Sequence, residues 1–222
     1  MFISIPKEFF VPVTYEYRGK LNIEDNEEGE MTRESKGKVE TGVQYVKNLV
    51  TEEKSDVVKA GIYKDIEFVA SIVNQEDKGK EIVDGMKSDI EEISTIGKTI
   101  KDKKKVYLEI GPAPTLYSVG KSTFLNEMIE IIGAENIFAN ENSWISPSEE
   151  SVIDANPDVI LTTVNYVENP TEEIKSREGW EHINAVKNNQ VYYIDSNSAS
   201  RPTQNIIKAL KEIAKATYQD KY

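Results

Sequence analysis

Apolar and polar residues alternate along the chain with two different periods, which predict its strands and helices. Residues 11–23, VPVTYEYRGKLNI, place apolar side chains at every second position around a central Arg-Gly-Lys, which predicts a β-hairpin. The next segment, EDNEEGEMTRESKGK, is almost wholly polar and predicts a surface loop. Helical spacing then returns at Val39, Val43, Val46 and Leu49-Val50.

Two helices are predicted between Tyr63 and Ile100. Apolar residues recur there at helical spacing in two sets, and the polar stretch NQEDKGK between the sets predicts a break. The second helix, DKGKEIVDGMKSDIEEISTIGKTI, combines an apolar stripe with a charged face. We interpret it as a packed helix whose charged face is solvated.

Strands and helices alternate in the remaining half of the chain. The order is strand VYLEI, helix 121–132, a short NIFA, helix 148–155, strand DVILTTV, helix 171–186, strand QVYYID and a final helix from about Pro202. This alternation predicts an α/β fold whose parallel sheet is covered on both faces. Ligands of such sheets sit at the carboxyl ends of the strands. Here those ends carry GPAPTLYS, NENSW, NYVENP and SNSASRP.

Composition excludes several classes of function. The formal net charge of -12 argues against nucleic acid as a partner, because phosphate binding needs clustered Lys and Arg. The chain has no cysteine, which excludes disulfides, thiolate metal sites and thiol catalysis. The one histidine, His182, is expected at the surface or packed on a helix, and no metal site is predicted.

The segment GPAPTLYSVGKST invites comparison with a phosphate-binding loop, since it contains Gly-Lys-Ser between a strand and a helix. That loop requires a glycine where this chain has Thr115, and Pro112 and Pro114 remove two N–H donors. The best hydrophobic strand candidate ends LTTVN, without an Asp suited to hold Mg²⁺. We therefore interpret Gly120-Lys121-Ser122 as a helix start, with Ser122 near the N-cap.

From about Ile62 the chain resembles the substrate-binding proteins of ABC transporters for cobalamin, ferric siderophores or haem. IYKDIEFVASIVNQEDKGKEIVDGMKSDIEEI resembles the segment that forms the long helix between their two lobes. VYLEIGPAPTLYSVGKSTFLNEMIEIIGAENIFAN is similar to their strand, ligand loop, helix and G-x-x-N block. SWISPSEESVIDANPDVILTT, WEHINAVKNNQVYYID and SASRPTQNIIKALKEIAK resemble the remaining blocks in the same order.

The resemblance implies a clamp of two lobes joined by a helix, with ligand held between the lobes. It divides the chain into a reduced N-terminal region at 1–61, an inter-lobe helical segment at 62–105 and a Rossmann-like C-terminal ligand-binding lobe at 106–222. The family's N-terminal lobe is a much longer α/β unit that carries half of the cleft. Residues 1–61 do not match that lobe, so the resemblance does not supply the other half of the cleft.

The resemblance also suggests ligand-binding residues. Trp144 matches a family aromatic that touches ligand, and an indole ring covers a flat corrinoid or porphyrin well. Tyr117 and Tyr166 are further candidate aromatics, Asn197 and Ser198 candidate hydrogen-bonding residues, and Arg201 a candidate partner for a carboxylate or phosphate. The alternatives are a packing tryptophan and a surface or capping arginine. Trp180 is expected in the core.

Docking to the membrane permease is the other role that the resemblance implies. Ser146, Pro147 and Glu149 have the spacing of a helix cap, with Ser146 as N-cap and Glu149 closing a capping box. Glu150 has no such explanation and matches the surface glutamate by which family members dock on permease arginines. A solvated helix carboxylate is the alternative.

The function predicted is a solute-binding component of an ABC importer, without enzymatic activity or cofactor, that works outside the membrane as a periplasmic protein or cell-surface lipoprotein. The start, MFISIPKEFF, does not look like a leader, so either the protein is cytoplasmic or a leader has been removed. A degenerate member acting as a dimeric interaction protein, and an α/β NTPase, are the alternatives. The absence of a Tyr/His pair and of an arginine cluster favours a corrinoid over haem or a catecholate.

Overall fold

The structure is a computed structural model and describes residues 57–222. The hairpin predicted over 11–23, the polar loop that follows and the helix predicted over 39–50 lie outside the described residues. Within the described part, residues 57–67 and 77–222 fall in one compact unit. None of the helices in residues 57–222 is long and apolar enough to cross a membrane.

Two helices begin the described part, α1 (Val57–Ile72) and α2 (Glu76–Gly97). The break between them falls at the start of NQEDKGK, as the sequence predicts. α2 buries one stripe of side chains that are three or four positions apart: Val83, Met86, Ile90 and Ile93. Its end lies close to the end of the helix at Phe124–Ile131, because a Cβ at Gly97 would clash with the backbone of Ile131.

A four-stranded parallel sheet in the order β3-β1-β5-β6 forms the centre of the fold. Its strands are β1 (Lys105–Glu109), β3 (Glu135–Asn136), β5 (Val159–Thr162) and β6 (Val191–Tyr193). Val106 pairs with Val159 and Ile160 with Val191. A separate antiparallel ribbon joins β2 (Ser118–Val119) to β4 (Trp144–Ile145).

Alternate strand residues face opposite sides of the sheet and enter two cores. Val106, Leu108, Val159 and Leu161 pack with α2 and with the helices at Phe124–Ile131 and Ile206–Thr217. Tyr107 and Ile160 pack on the other side with the segments around Val152, Ile174 and Trp180. All these strand residues are fully buried. The predicted α/β fold, with a parallel sheet covered on both faces, is therefore confirmed.

The helices of this part are α3 (Phe124–Ile131), α4 (Glu149–Ala155), α5 (Pro170–Lys175), α6 (Asn184–Lys187), α7 (Ser196–Ala199) and α8 (Ile206–Thr217), with a 3-10 turn at Trp180–His182. The single helix predicted over 171–186 is wrong. Gly179 adopts a left-handed φ of +84°, which turns the chain and separates α5 from the 3-10 turn. Trp180 is fully buried, as predicted, and His182 is at the surface.

Candidate functional site

The β2–β4 ribbon carries Trp144, the first of the predicted ligand-binding aromatics. Val119 pairs with Trp144, and the ribbon continues beyond this pair because Gly120 N–H donates to the Ser143 carbonyl at 2.8 Å. A Cβ at Gly120 would clash with the backbone of Glu141. The glycine therefore allows two backbone segments to approach each other closely.

The same backbone bonds explain why the Gly-Lys-Ser segment is not a phosphate loop. Lys121 N–H donates to the Glu141 carbonyl at 2.8 Å, as Gly120 N–H does to Ser143. The preceding loop closes on itself, since Tyr117 N–H donates to the Gly111 carbonyl at 3.1 Å. Donors that a phosphate loop would turn toward its ligand are bonded to the protein's own backbone.

The cap of α3 differs from the prediction. Ser122 has a left-handed φ of 65° and is not the N-cap. Thr123 takes that position, with its Oγ1 accepting from Asn126 N–H at 3.2 Å and donating to the Gly120 carbonyl at 2.8 Å. The predicted N-cap was therefore placed one residue too early.

Trp144 presents a large, half-exposed indole on the ribbon. Its side chain is 54% exposed, and the ring meets Phe124 edge to face, with centroids 6.5 Å apart and planes at 71°. Tyr117, which directly precedes β2, has a side chain that is 51% exposed. Its ring lies against Gly111, where an added Cβ would come within 2.8 Å of Cδ2. Of the two exposed aromatic residues, Trp144 therefore lies on the ribbon, and Tyr117 directly precedes its first strand.

The other predicted ligand residues lie in loops that follow neighbouring parallel strands. Tyr166 follows β5 and is 71% exposed, and Arg201 follows β6 and is exposed. Asn197 is exposed on α7, with its N–H donating to Oδ1 of Asp195 at 3.1 Å. Ser198 is buried, and its hydroxyl donates to the Asp195 carbonyl. The carboxyl ends of β5 and β6 share one edge of the sheet, so Tyr166, Asn197 and Arg201 are placed at that edge.

Tyr193, at the end of β6, is an exposed aromatic that the sequence analysis missed. Its side chain is 45% exposed, and its hydroxyl accepts from Ser196 N–H at 3.3 Å. Strand alternation gives no signal for it, because Val191, two positions earlier and on the same face of β6, is buried. The hydrogen bond from Ser196 to Tyr193 connects the end of β6 to α7, which carries Asn197 and precedes Arg201.

A buried charged network lies on the opposite face of β1 from α3. Arg177 donates from both terminal nitrogens to Glu109, at 2.7 and 2.9 Å, and also bonds Glu173. Glu109 is fully buried and Arg177 nearly so. The Tyr107 hydroxyl lies 3.5 Å from Glu109 Oε2. Because all these groups bond one another, the network is not open to a ligand.

The start of α4 also differs from the prediction. Its N-cap is Ser148, whose Oγ accepts from Ser151 N–H at 3.2 Å. Ser146, predicted as the cap, instead donates to the Leu116 carbonyl at 2.8 Å, which ties the ribbon to the preceding loop. Glu149 closes no capping box, because its carboxylate accepts a hydrogen bond from Trp180 Nε1 at 3.0 Å.

Glu150 lies on the first turn of α4 with an exposed side chain. Its own backbone N–H, and then Ser148, hydrogen-bond the carboxylate and lower its pKa below the ordinary value. The helix N-terminus favours the same charged form. Glu150 therefore presents a fixed negative charge. Within residues 57–222 there is no group of three or more His, Asp or Glu side chains that could hold a metal ion.

The sequence and structure match known proteins over most of the chain. The family model described as periplasmic binding protein matches residues 31–198, a match that begins before Ile62. The uncharacterized ABC transporter substrate-binding lipoprotein YvrC of Bacillus subtilis is 35% identical over 163 residues, which are 72% of this chain and 51% of that protein.

Two further similarities involve iron or haem. The high-affinity heme uptake system protein IsdE of Staphylococcus aureus (strain bovine RF122 / ET3-1) is 30% identical over 144 residues, 61% of this chain and 48% of that protein. The crystal structure of a possible iron-binding, periplasmic solute-binding protein of Staphylococcus epidermidis has a TM-score of 0.65 and 30% identity, covering 82% of this chain and 71% of that one. The chain spans about half the length of the curated relatives it matches.

Proposed function

Because the chain belongs to the periplasmic binding protein family, we propose that it is the solute-binding component of an ABC importer. Members of this family are substrate-binding proteins and not enzymes. They carry ligands rather than cofactors. The binding lobe is residues 106–222, joined by the helical segment at 62–105 to the N-terminal region at 1–61.

The observation that carries the proposal is the exposed indole of Trp144, which we call the Trp144 platform. An indole that is 54% exposed keeps much of its apolar ring in water. Covering that ring with a flat apolar ligand removes this area from water, and Phe124 already fixes its orientation from the side. A ligand with a broad face therefore fits this surface better than a small ion does. Tyr117, which directly precedes β2, is a second exposed aromatic that we propose for ligand contact.

The ligand class that we propose is cobalamin or a related iron chelate or haem. The names of IsdE and of the Staphylococcus epidermidis protein support haem or iron for this region of the family. Arg201, Tyr166 and Asn197 line the neighbouring strand edge and complete the ligand surface. An exposed guanidinium there suits a carboxylate or phosphate group on the ligand rim.

Docking on the permease is assigned to Glu150. Its carboxylate is exposed, its helix start is anchored by the Glu149–Trp180 hydrogen bond, and its lowered pKa keeps it charged. Charges of this kind steer and orient an encounter with arginines on the partner. We place the protein outside the cytoplasmic membrane, as a periplasmic protein or cell-surface lipoprotein, which the lipoprotein relative supports.

Calorimetric titration with cyanocobalamin, haemin and a panel of ferric siderophores tests the proposal. The oligomeric state is measured on the same sample by light scattering. We expect saturable binding of at least one of these probes by the purified chain. No binding of any probe, together with a stable dimer, would instead support an interaction protein without transport.

A further inference from the structure

Asn136, at the end of β3, is a buried amide that makes hydrogen bonds through both its nitrogen and its oxygen. It is 2% exposed. Its Nδ2 donates to the Val119 carbonyl at 2.8 Å and to Asn126 Oδ1 at 2.9 Å, while its Oδ1 accepts from Phe138 N–H at 3.1 Å. Burial makes each lost bond costly, because the orphaned partner cannot turn to water.

The first of these bonds holds the ribbon that carries the platform. Val119, whose carbonyl accepts from Asn136, is the residue that pairs with Trp144 across β2 and β4. The ribbon has only two residues on each strand. A strand pair this short has little stability of its own. An anchor from the central sheet therefore contributes much of the order of this ribbon.

The second bond holds the other support of the indole. Asn126 lies on α3 and shares its amide between Asn136 and Glu130, at 2.9 and 2.8 Å. α3 begins at Phe124, whose ring meets Trp144 edge to face. The Asn136 side chain thus bonds both β2, the strand that pairs with Trp144, and α3, the helix that begins with Phe124.

We propose that Asn136 is a positioning residue that fixes the Trp144 indole before ligand arrives. The inference deepens the proposed function, and its predicted effect on ligand affinity rests on that function. A platform held in place loses less side-chain freedom when a ligand stacks on it, so it binds more tightly than a mobile one. Asn136 itself touches no ligand and acts through Val119 and Asn126.

Asn136→Asp tests this role because the substitution keeps the shape and the acceptor but removes both Nδ2 donations. The protein is labelled with 5-fluorotryptophan, which gives one fluorine signal for Trp144 and one for Trp180. Trp144→Phe assigns them. Ile174→Ala, in the second core, is the matched control for a general loss of stability, since Ile174 is fully buried away from the ribbon.

In Asn136→Asp we expect the Trp144 fluorine signal to shift and change width while the Trp180 signal stays in place. Affinity for whichever probe the unmodified protein binds should fall roughly tenfold, a loss equal to one or two such hydrogen bonds. Ile174→Ala should lower the melting temperature without either effect.

An unchanged Trp144 signal in Asn136→Asp, with only a lower melting temperature, would overturn the inference. So would an unchanged affinity beside a shifted signal. If the unmodified protein binds none of the probes, the proposed function fails. The fluorine spectra still decide by themselves whether Asn136 fixes the indole.

Discussion

The indole nitrogen of Trp180 lies 3.0 Å from Oε2 of Glu149 and donates a hydrogen bond to it. Trp180 is fully buried, whereas Glu149 opens α4 at a partly exposed position. The Arg177 guanidinium lies over the face of the same indole, with its Cζ 4.5 Å from the ring centroid. The start of the helix that carries Glu150 is thereby tied to the second core.

Trp180→Phe should lower the free energy of unfolding by about 1–3 kcal/mol, because the Glu149 carboxylate loses a donor and the smaller ring leaves space. Urea unfolding measures the loss. Glu149→Gln is the matched control, since its amide oxygen still accepts from the indole, and it should cost less. Equal stability of Trp180→Phe and the unmodified protein would show that the bond contributes nothing.

Arg177→Ala should be much more destabilising, by about 3–5 kcal/mol, because it leaves the fully buried Glu109 carboxylate without its two-pronged partner. The double variant Glu109→Leu with Arg177→Met removes both charges and should recover part of the loss. Chemical denaturation of both variants provides the comparison. A double variant as unstable as Arg177→Ala would show that packing, not the unpaired charge, causes the loss.

Much of the sheet could be predicted from the sequence, because the continuous apolar runs in VYLEI and VILT are typical of parallel strands that are buried on both faces. Glu109 inside such an apolar run even signals a buried charge that needs a partner. The partner, Arg177, could not be found, since it lies 68 residues further along the chain. Only the fold brings the two together.

Glu150→Lys should reduce ligand uptake by cells that express the protein with its permease, while leaving ligand affinity unchanged. If Glu150 docks on permease arginines as proposed, reversal of its charge replaces attraction with repulsion. Glu135→Lys is the matched control, because Glu135 is an exposed carboxylate at the start of β3, at the other edge of the sheet. Uptake that falls equally in both variants would rule out a specific docking role for Glu150.

Alkaline pH should destabilise the protein through its buried tyrosines. Burial, and then the Glu109 charge, raise the pKa of Tyr107 far above its ordinary value, and burial, then Tyr218, raise the pKa of Tyr222 to about 12. The native state keeps protons that the unfolded chain releases above about pH 10, so stability is present below that pH and falls as pH rises through the folded pKa values.

Urea midpoints measured from about pH 9 to about pH 11 test this sign, with tyrosinate absorbance recorded alongside. Tyr222→Phe should make the decline shallower, since it removes one of the raised groups. Midpoints that stay level or rise over this range would contradict the assignment of buried, protonated tyrosines.

Parts of the candidate site were also accessible from the sequence, and parts were not. Trp144 and Tyr117 follow strand ends in the alternating pattern, and a family resemblance selects them. The ribbon that joins them could not be predicted, because two-residue strands leave no periodic signal. Asn136 ends the G-x-x-N block that the resemblance selects, but its bonds to Val119 and Asn126 exist only after the chain has folded.

The measurement that tests the central claim most directly is a calorimetric titration of the unmodified protein, Trp144→Phe and Trp144→Ala with cyanocobalamin and haemin. The half-exposed position of Trp144 should leave stability nearly unchanged in both variants. We expect saturable binding of at least one probe, roughly tenfold or more weaker in Trp144→Ala and less affected in Trp144→Phe, which keeps a stacking ring. Equal affinity in all three proteins would contradict the account, as would the absence of binding to the unmodified protein.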